Sequence, residues 1–189
     1  MSIDLTTGLM SEARQCPSPN FDGRPGREAP SLIVIHNISL PPGEFGGQAI
    51  DQLFTNCLDP NEHDFFADIC HLRVASHLLI RRCGELVQYV PFHYRAFHAG
   101  ISQFKGRNKC NDFSIGIELE GSDYVEFTDA QYVKLIGVIE ELCGFYPQLS
   151  PERVTGHEHI APGRKTDPGP FFEWGRLEEA FEVDLPAKA

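Results

Sequence analysis

The order of apolar and polar positions along the chain predicts strands first. Residues 31–39, SLIVIHNIS, are almost continuously apolar and β-branched, as in a strand buried on both faces. Residues 74–80 (VASHLLI) and 86–91 (LVQYVP) flank the turn RRCGE and predict a hairpin. Residues 113–120, FSIGIELE, alternate cleanly. Phe113, Ile115, Ile117 and Leu119 face one way; Ser114, Gly116, Glu118 and Glu120 face the other. Helical periodicity is clearest after Thr128, where T-D-A-Q forms a capping box with Gln131. Tyr132, Leu135, Ile136, Ile139, Leu142 and Cys143 make its apolar stripe, and Gly144 with Pro147 ends it.

Shorter helical pieces are predicted over 47–56, around Phe65–Ile69, and after Ser150-Pro151, which suits an N-cap followed by proline. A last helix is predicted from Pro170, with Phe171, Trp174, Leu177 and Phe181 inward. Strands interspersed with helices give an α/β fold, a single domain with a central mixed β-sheet flanked by helices. Residues 1–30, rich in Pro, Gly, Ser and Arg, read as an irregular arm of that domain, and 184–189 as a tail. Residues 93–112 read as a long loop, a feature that is usually functional or disordered.

Composition narrows the function classes. The 189 residues suit one domain. A net charge of −11 argues against a nucleic-acid partner, which would demand a basic surface. Nothing approaches the roughly 18 consecutive apolar residues of a spanning helix, so no membrane association is expected. The N-terminus shows no basic segment followed by an apolar one, which predicts a cytoplasmic protein. The six cysteines are scattered without a C-x-x-C pair, so they are expected to be reduced thiols.

Histidine is where chemistry enters. His36 ends the first predicted strand, where an α/β sheet commonly places its ligand crevice. His157 lies in T-G-H, and Asp167 follows in the stiff loop K-T-D-P-G-P. Two imidazoles and a carboxylate with a fourth position left for water make an open catalytic zinc set. Residue types alone leave that reading beside ordinary structural roles. Glu118 and Glu120 share one strand face, and alternation does not choose between them as the carboxylate of a cleft.

The segments PSLIVIHNISLPPGEFGG, HLRVASHLLIRRCGELVQYVP, FHAGISQFKGRNKCNDFSIGIELEG and TGHEHIAPGRKTDPGP resemble the AmpD family. That family comprises zinc-dependent 1,6-anhydro-N-acetylmuramyl-L-alanine amidases, related to peptidoglycan recognition proteins. The resemblance covers roughly residues 10–180 and makes 31–183 a zinc amidase domain. It implies one Zn²⁺ per chain on His36, His157 and Asp167, with catalytic roles for Glu118 and Lys165. It also implies a small anionic muropeptide as substrate, a place in peptidoglycan recycling, and restraint of β-lactamase induction where that circuit exists. No obligate protein partner is evident.

Candidate substrate-binding residues in the matching segments are Asn37, Arg73, Phe97, His98, Lys109 and Arg164. The family often has Arg where this chain has Lys109, and Trp where it has Phe97. The first change keeps a charge but loses a bidentate fork; the second keeps an aromatic wall but loses an indole donor. His159 is the candidate fourth ligand of a purely structural metal site, and His77 reads either as structural or as a support behind the site's own residues. An amidase acting on intact peptidoglycan and a non-catalytic recognition module are the rival functions. Segments 37–73 and 92–112, with Gly46-Gly47 as a hinge, are candidates for a conformational switch.

Overall fold

The β-branched run becomes an interior strand of a six-stranded sheet. The computed structural model describes residues 1–185, so most of the expected tail lies outside the described residues. In chain order the elements are β1 (Arg14–Gln15), β2 (Phe21–Gly23), β3 (Leu32–Ile38), α1 (Ala49–Phe54), α2 (Asp64–Ile69), β4 (Leu78–Ile80) and β5 (Leu86–Gln88). They continue with β6 (Tyr94–Ala96), β7 (Gln103–Phe104), β8 (Arg107–Asn108), β9 (Ser114–Glu120), α3 (Asp129–Phe145), β10 (Val154–Gly156), α4 (His157–Ile160) and α5 (Trp174–Phe181). The main sheet runs β1-β5-β4-β9-β3-β10, and only the β4–β5 pairing within it is antiparallel. The expected mixed α/β architecture is what is found.

One sheet face packs Ile33, Ile35, Ile115, Ile117 and Leu119 against the α3 stripe, with Leu177 of α5 completing the cluster. On the opposite face, Leu32 and Val34 meet Ala99, Phe113 and Ile160, while Leu79 and Val87 pack under α1 and α2. Both faces are covered. That is why β3 is apolar at successive positions, and it also changes the reading of β9. Alternation suggests one solvent face, yet all seven β9 residues are buried.

The polar side of β9 therefore has to be satisfied inside the protein. Glu120 is satisfied: its carboxylate accepts from Arg81 Nη1 at 3.1 Å, from the Gly46 amide at 2.7 Å and from the Arg82 amide at 3.1 Å. The same contacts pin the Gly46-Gly47 loop to the sheet edge, since Arg81 also donates to the Gly47 carbonyl.

Four local expectations change. The arm 1–30 is not wholly irregular, because β1 extends the sheet beside β5 and β2 pairs with β6. The long loop 93–112 holds β6 and a small β7–β8 hairpin. Residues 154–156 form a strand that composition did not reveal, since its partner β3 lies far away in sequence. The last helix begins at Trp174, and Phe171 lies before it, 42% exposed and not turned inward.

The capping box of α3 forms as read and also ties the helix to the sheet. The Gln131 amide donates to Thr128 Oγ1 at 3.2 Å, and the Thr128 amide donates to Gln131 Oε1 at 3.0 Å. Gln131 Nε2 then reaches the carbonyls of Ile80 and Glu120 at 3.1 and 2.9 Å. Thr128→Ala is expected to cost about 1 kcal/mol, the usual worth of an N-cap. Gln131→Ala is expected to cost more, about 2–3 kcal/mol, because it also strands two buried carbonyls. Urea unfolding midpoints of the two variants check the order.

Candidate active site

Parallel pairing brings the chemistry together. In the β3–β9 ladder His36 lies opposite Glu118, and in the β3–β10 ladder Ile35 lies opposite Gly156. His157, the first residue of α4, therefore arrives beside His36. Asp167 comes from the loop after α4. Its carbonyl accepts from the Glu158 amide at 2.8 Å, and Asn37 Nδ2 donates to the next carbonyl, Pro168, at 3.0 Å.

The three candidate ligands converge on one point. His36 Nδ1 lies 3.0 Å from His157 Nδ1 and 2.9 Å from Asp167 Oδ2, and His157 Nδ1 lies 3.0 Å from the same oxygen. Both rings are almost fully buried, and the carboxylate is 16% exposed. The far ring nitrogens show which form each imidazole takes. His157 Nε2 lies 3.1 Å from the Ala99 carbonyl and 3.3 Å from Arg164 Nη2; donation to the carbonyl, the shorter contact, leaves the Nδ1 lone pair facing His36 and Asp167. His36 Nε2 lies 2.9 Å from His98 Nδ1. Burial pushes His36 down to about 4, against the pull of Asp167, so its ring is neutral at pH 7.

Two imidazole nitrogens and a carboxylate oxygen facing one another are a set of electron-pair donors suited to a cation between them. Tetrahedral zinc with bonds of about 2.05 Å would hold its ligands about 3.3 Å apart, close to the spacing found. The donor set fits zinc. His159 does not join it: its Nδ1 accepts from the Gly156 amide at 3.1 Å and its ring packs against Trp174. Among the described residues three side chains converge, not the four of a closed structural site.

Glu118 stands beside this cluster with Oε2 buried and without a hydrogen-bond partner. Burial, aided by Asp167 and opposed by Lys165, pushes its carboxyl well above the ordinary range. The contrast with Glu120, held by an arginine and two amides, resolves what alternation left open. One cavity of about 420 Å³ is lined by His36, Asn37, Phe97, His98, Glu118, His157, Lys165 and Asp167. Its other walls are mostly apolar, with Ser39 and Ser76 among them, and come partly from α1 and α2 through Leu53, Phe54, Phe65 and Ile69. Sequence reading did not assign that wall, whose residues look like ordinary core positions.

Other candidates lie elsewhere. Arg73, Lys109 and Arg164 are not among the residues lining the cavity. Arg73 turns back on the carbonyls of Cys70 and Leu72, while Arg164 donates to those of Ala99 and Ile101. Lys109 is exposed, with φ of 62°. Asn37 Nδ2 is engaged by Asp123 Oδ1 at 2.7 Å as well as by Pro168. His77 is structural, accepting from the Gly116 amide and donating to the Tyr94 carbonyl.

Residues 26–170 match the N-acetylmuramoyl-L-alanine amidase family. The chain belongs to that family. It is 60% identical over 173 residues to the 1,6-anhydro-N-acetylmuramyl-L-alanine amidase AmpD of Escherichia coli K12, covering 92% of this chain and 94% of that one. It superposes on the crystal structure of a selenomethionine AmpD derivative with a TM-score of 0.92 at 58% identity, covering 95% and 99% of the two chains. The amidase AmiD of E. coli, solved in complex with the substrate anhydro-N-acetylmuramic acid-L-Ala-D-γ-Glu-L-Lys, matches with a TM-score of 0.58 at 29% identity. That match covers 85% of this chain and 65% of AmiD. Amidases of this family are zinc-dependent in general, and the His-His-Asp cluster could hold such an ion.

The buried histidines give the metal-free amidase a defined acid sensitivity. His36 is held near 4 and His77 near 3, both mainly by burial, below the ordinary imidazole value of about 6.5. Between those values the unfolded chain binds more protons than the folded one, so stability is full above about pH 6.5 and declines as pH falls toward 4. Thermal unfolding of chelator-treated protein across that window is expected to show the decline.

Proposed function

We infer that this amidase hydrolyses the amide between the lactyl group of 1,6-anhydro-N-acetylmuramic acid and L-alanine in small muropeptides. We place it in zinc-dependent peptidoglycan recycling in the cytoplasm, with residues 31–183 as the catalytic domain. The observation that carries this reading is the convergence of His36, His157 and Asp167 beside the unpartnered Glu118 in one cavity. The 60% identity to AmpD supplies the substrate class.

His36, His157 and Asp167 would hold the zinc, which as a Lewis acid lowers the pKa of water and polarises a carbonyl. Glu118 is the proton carrier. Its Oε2, freed of partners and raised in pKa, takes a proton from the attacking water and delivers it to the departing alanine nitrogen. The water's oxygen bonds to the lactyl carbonyl carbon as the C–N bond breaks, leaving a carboxylate and a free α-amine. Lys165, on the cavity wall, places its ammonium where negative charge grows on the carbonyl oxygen.

A cavity of about 420 Å³ suits one small ligand. Phe97 lines it and meets the substrate directly in this reading, whereas Asn37, its amide nitrogen spent on Asp123 and Pro168, and His98, both ring nitrogens engaged, border it as frame. Arg73, Lys109 and Arg164 would act from outside that wall, on the carboxylates of the stem peptide.

Glu118→Gln is expected to lower kcat by about 10²–10⁴-fold, the usual worth of a general base, while zinc content stays unchanged. Lys165→Ala should lower kcat by about 10²–10³-fold, as for loss of an oxyanion donor. Single-substrate kinetics with metal analysis of each variant reads both. Mass spectrometry after incubation with anhydro-muramyl tripeptide should show free tripeptide, abolished by chelation and restored by zinc. Release from intact sacculi instead would indicate wall lysis, and binding without release a recognition module.

A further inference from the structure

Both candidate imidazole ligands lean on the same dipeptide. His36 Nε2 lies 2.9 Å from His98 Nδ1, and His157 Nε2 donates to the carbonyl of Ala99 at 3.1 Å. The far side of His98 is fixed as well, with Nε2 3.0 Å from Ser114 Oγ. Gly116 makes the room: a Cβ built there would lie 2.5 Å from His98 Cγ, so the imidazole rests on the bare backbone of β9.

Arg164 Nη2 donates to the Ala99 carbonyl at 2.7 Å, and one side-chain oxygen takes both amides of the dipeptide. Asn111 Oδ1 accepts from the His98 amide at 3.2 Å and from the Ala99 amide at 2.8 Å. Both partners are donors, so the oxygen rather than the nitrogen of the carboxamide must face them. Asn111 is itself anchored, in the 3-10 turn Cys110–Asp112 that leads directly into β9. Its carbonyl accepts from Arg24 Nη1 at 3.3 Å, and the same buried guanidinium reaches the Ser114 carbonyl at 2.8 Å. Glu118, on the following strand, and the partners of both imidazoles are thereby referred to one rigid segment.

We propose that Asn111 is a positioning residue of the metal centre: through one side-chain oxygen it fixes the His98-Ala99 segment, whose imidazole orients His36 and whose Ala99 carbonyl orients His157. This rests on the assignment of His36 and His157 as zinc ligands. Partners of a ligand's far nitrogen set its tautomer and ring direction, and losing one typically costs 10–100-fold in metal affinity. Asn111 stands one step further back but serves two ligands at once.

The test measures zinc affinity by competition with a chromophoric chelator, together with the visible spectrum of the cobalt-substituted protein. Asn111→Ala is expected to weaken zinc binding by about 10–100-fold and to alter the cobalt bands. Asn111→Asp retains an oxygen that can accept both amides, and its affinity should stay within about threefold of the parent. An unchanged affinity and spectrum in Asn111→Ala overturn the proposal. Equal losses in both variants also overturn it, because disturbance of the turn would then be the cause. Should Asn111→Ala fail to fold, His98→Phe decides. It fills the space over Gly116 but offers His36 no acceptor, and undiminished zinc affinity there overturns the proposal. A parent protein that binds no zinc would instead refute the metal assignment itself.

Discussion

The site depends on the register of three parallel strands. With β3 between β9 and β10, His36 lies opposite Glu118 and Ile35 opposite Gly156, so two ring nitrogens and a carboxylate share one level of the sheet. Neighbouring strands lie about 4.8 Å apart, which places these side chains within reach of one another before any loop contributes. A slip of one residue in β3 would turn His36 to the α3 side and Ile35 into the cleft. The apolar face of β3, packed under α3, is therefore what guarantees the position of the candidate ligands.

A sheet covered on both faces must satisfy every polar group it carries. The structure does so at most positions by tying each to a specific partner. Glu120 takes Arg81 and two amides, His77 spends both nitrogens on backbone, and Gln131 closes the carbonyls of Ile80 and Glu120. Among the described residues, the buried side-chain atoms left without a partner are Glu118 Oε2 and Thr155 Oγ1. The first lies in the same cavity as three facing electron-pair donors. In the proposed reading, that unpaired carboxylate oxygen beside those donors is where substrate and ion would supply the missing partners.

The same principle separates binding surface from frame. Asn37 borders the cavity yet spends its amide nitrogen on Asp123 and Pro168, holding the loop that carries Asp167. The Gly46-Gly47 segment, which looks like a hinge from its composition, is held by Glu120 and Arg81 at the sheet edge. The apolar half of the cavity is made by α1 and α2 from residues that serve simultaneously as core.

The sequence by itself determined the elements whose signals are local. The run SLIVIHNIS, the alternation of FSIGIELE and the capping box at Thr128 each specify a backbone conformation through nearest neighbours, and each formed where read. Motif resemblance also picked out His36, Glu118, His157, Lys165 and Asp167, which the fold brings into one cavity. What only tertiary structure decided involves partners distant in the chain. These include the burial of β9's polar side, the choice of Glu118 over Glu120, the strand at 154–156, and the exclusion of Arg73, Lys109 and Arg164 from the cavity wall. Local sequence sets torsion preferences and an apolar face, but the satisfaction of a polar group depends on which distant chain arrives opposite it. Only the packed sheet fixes that.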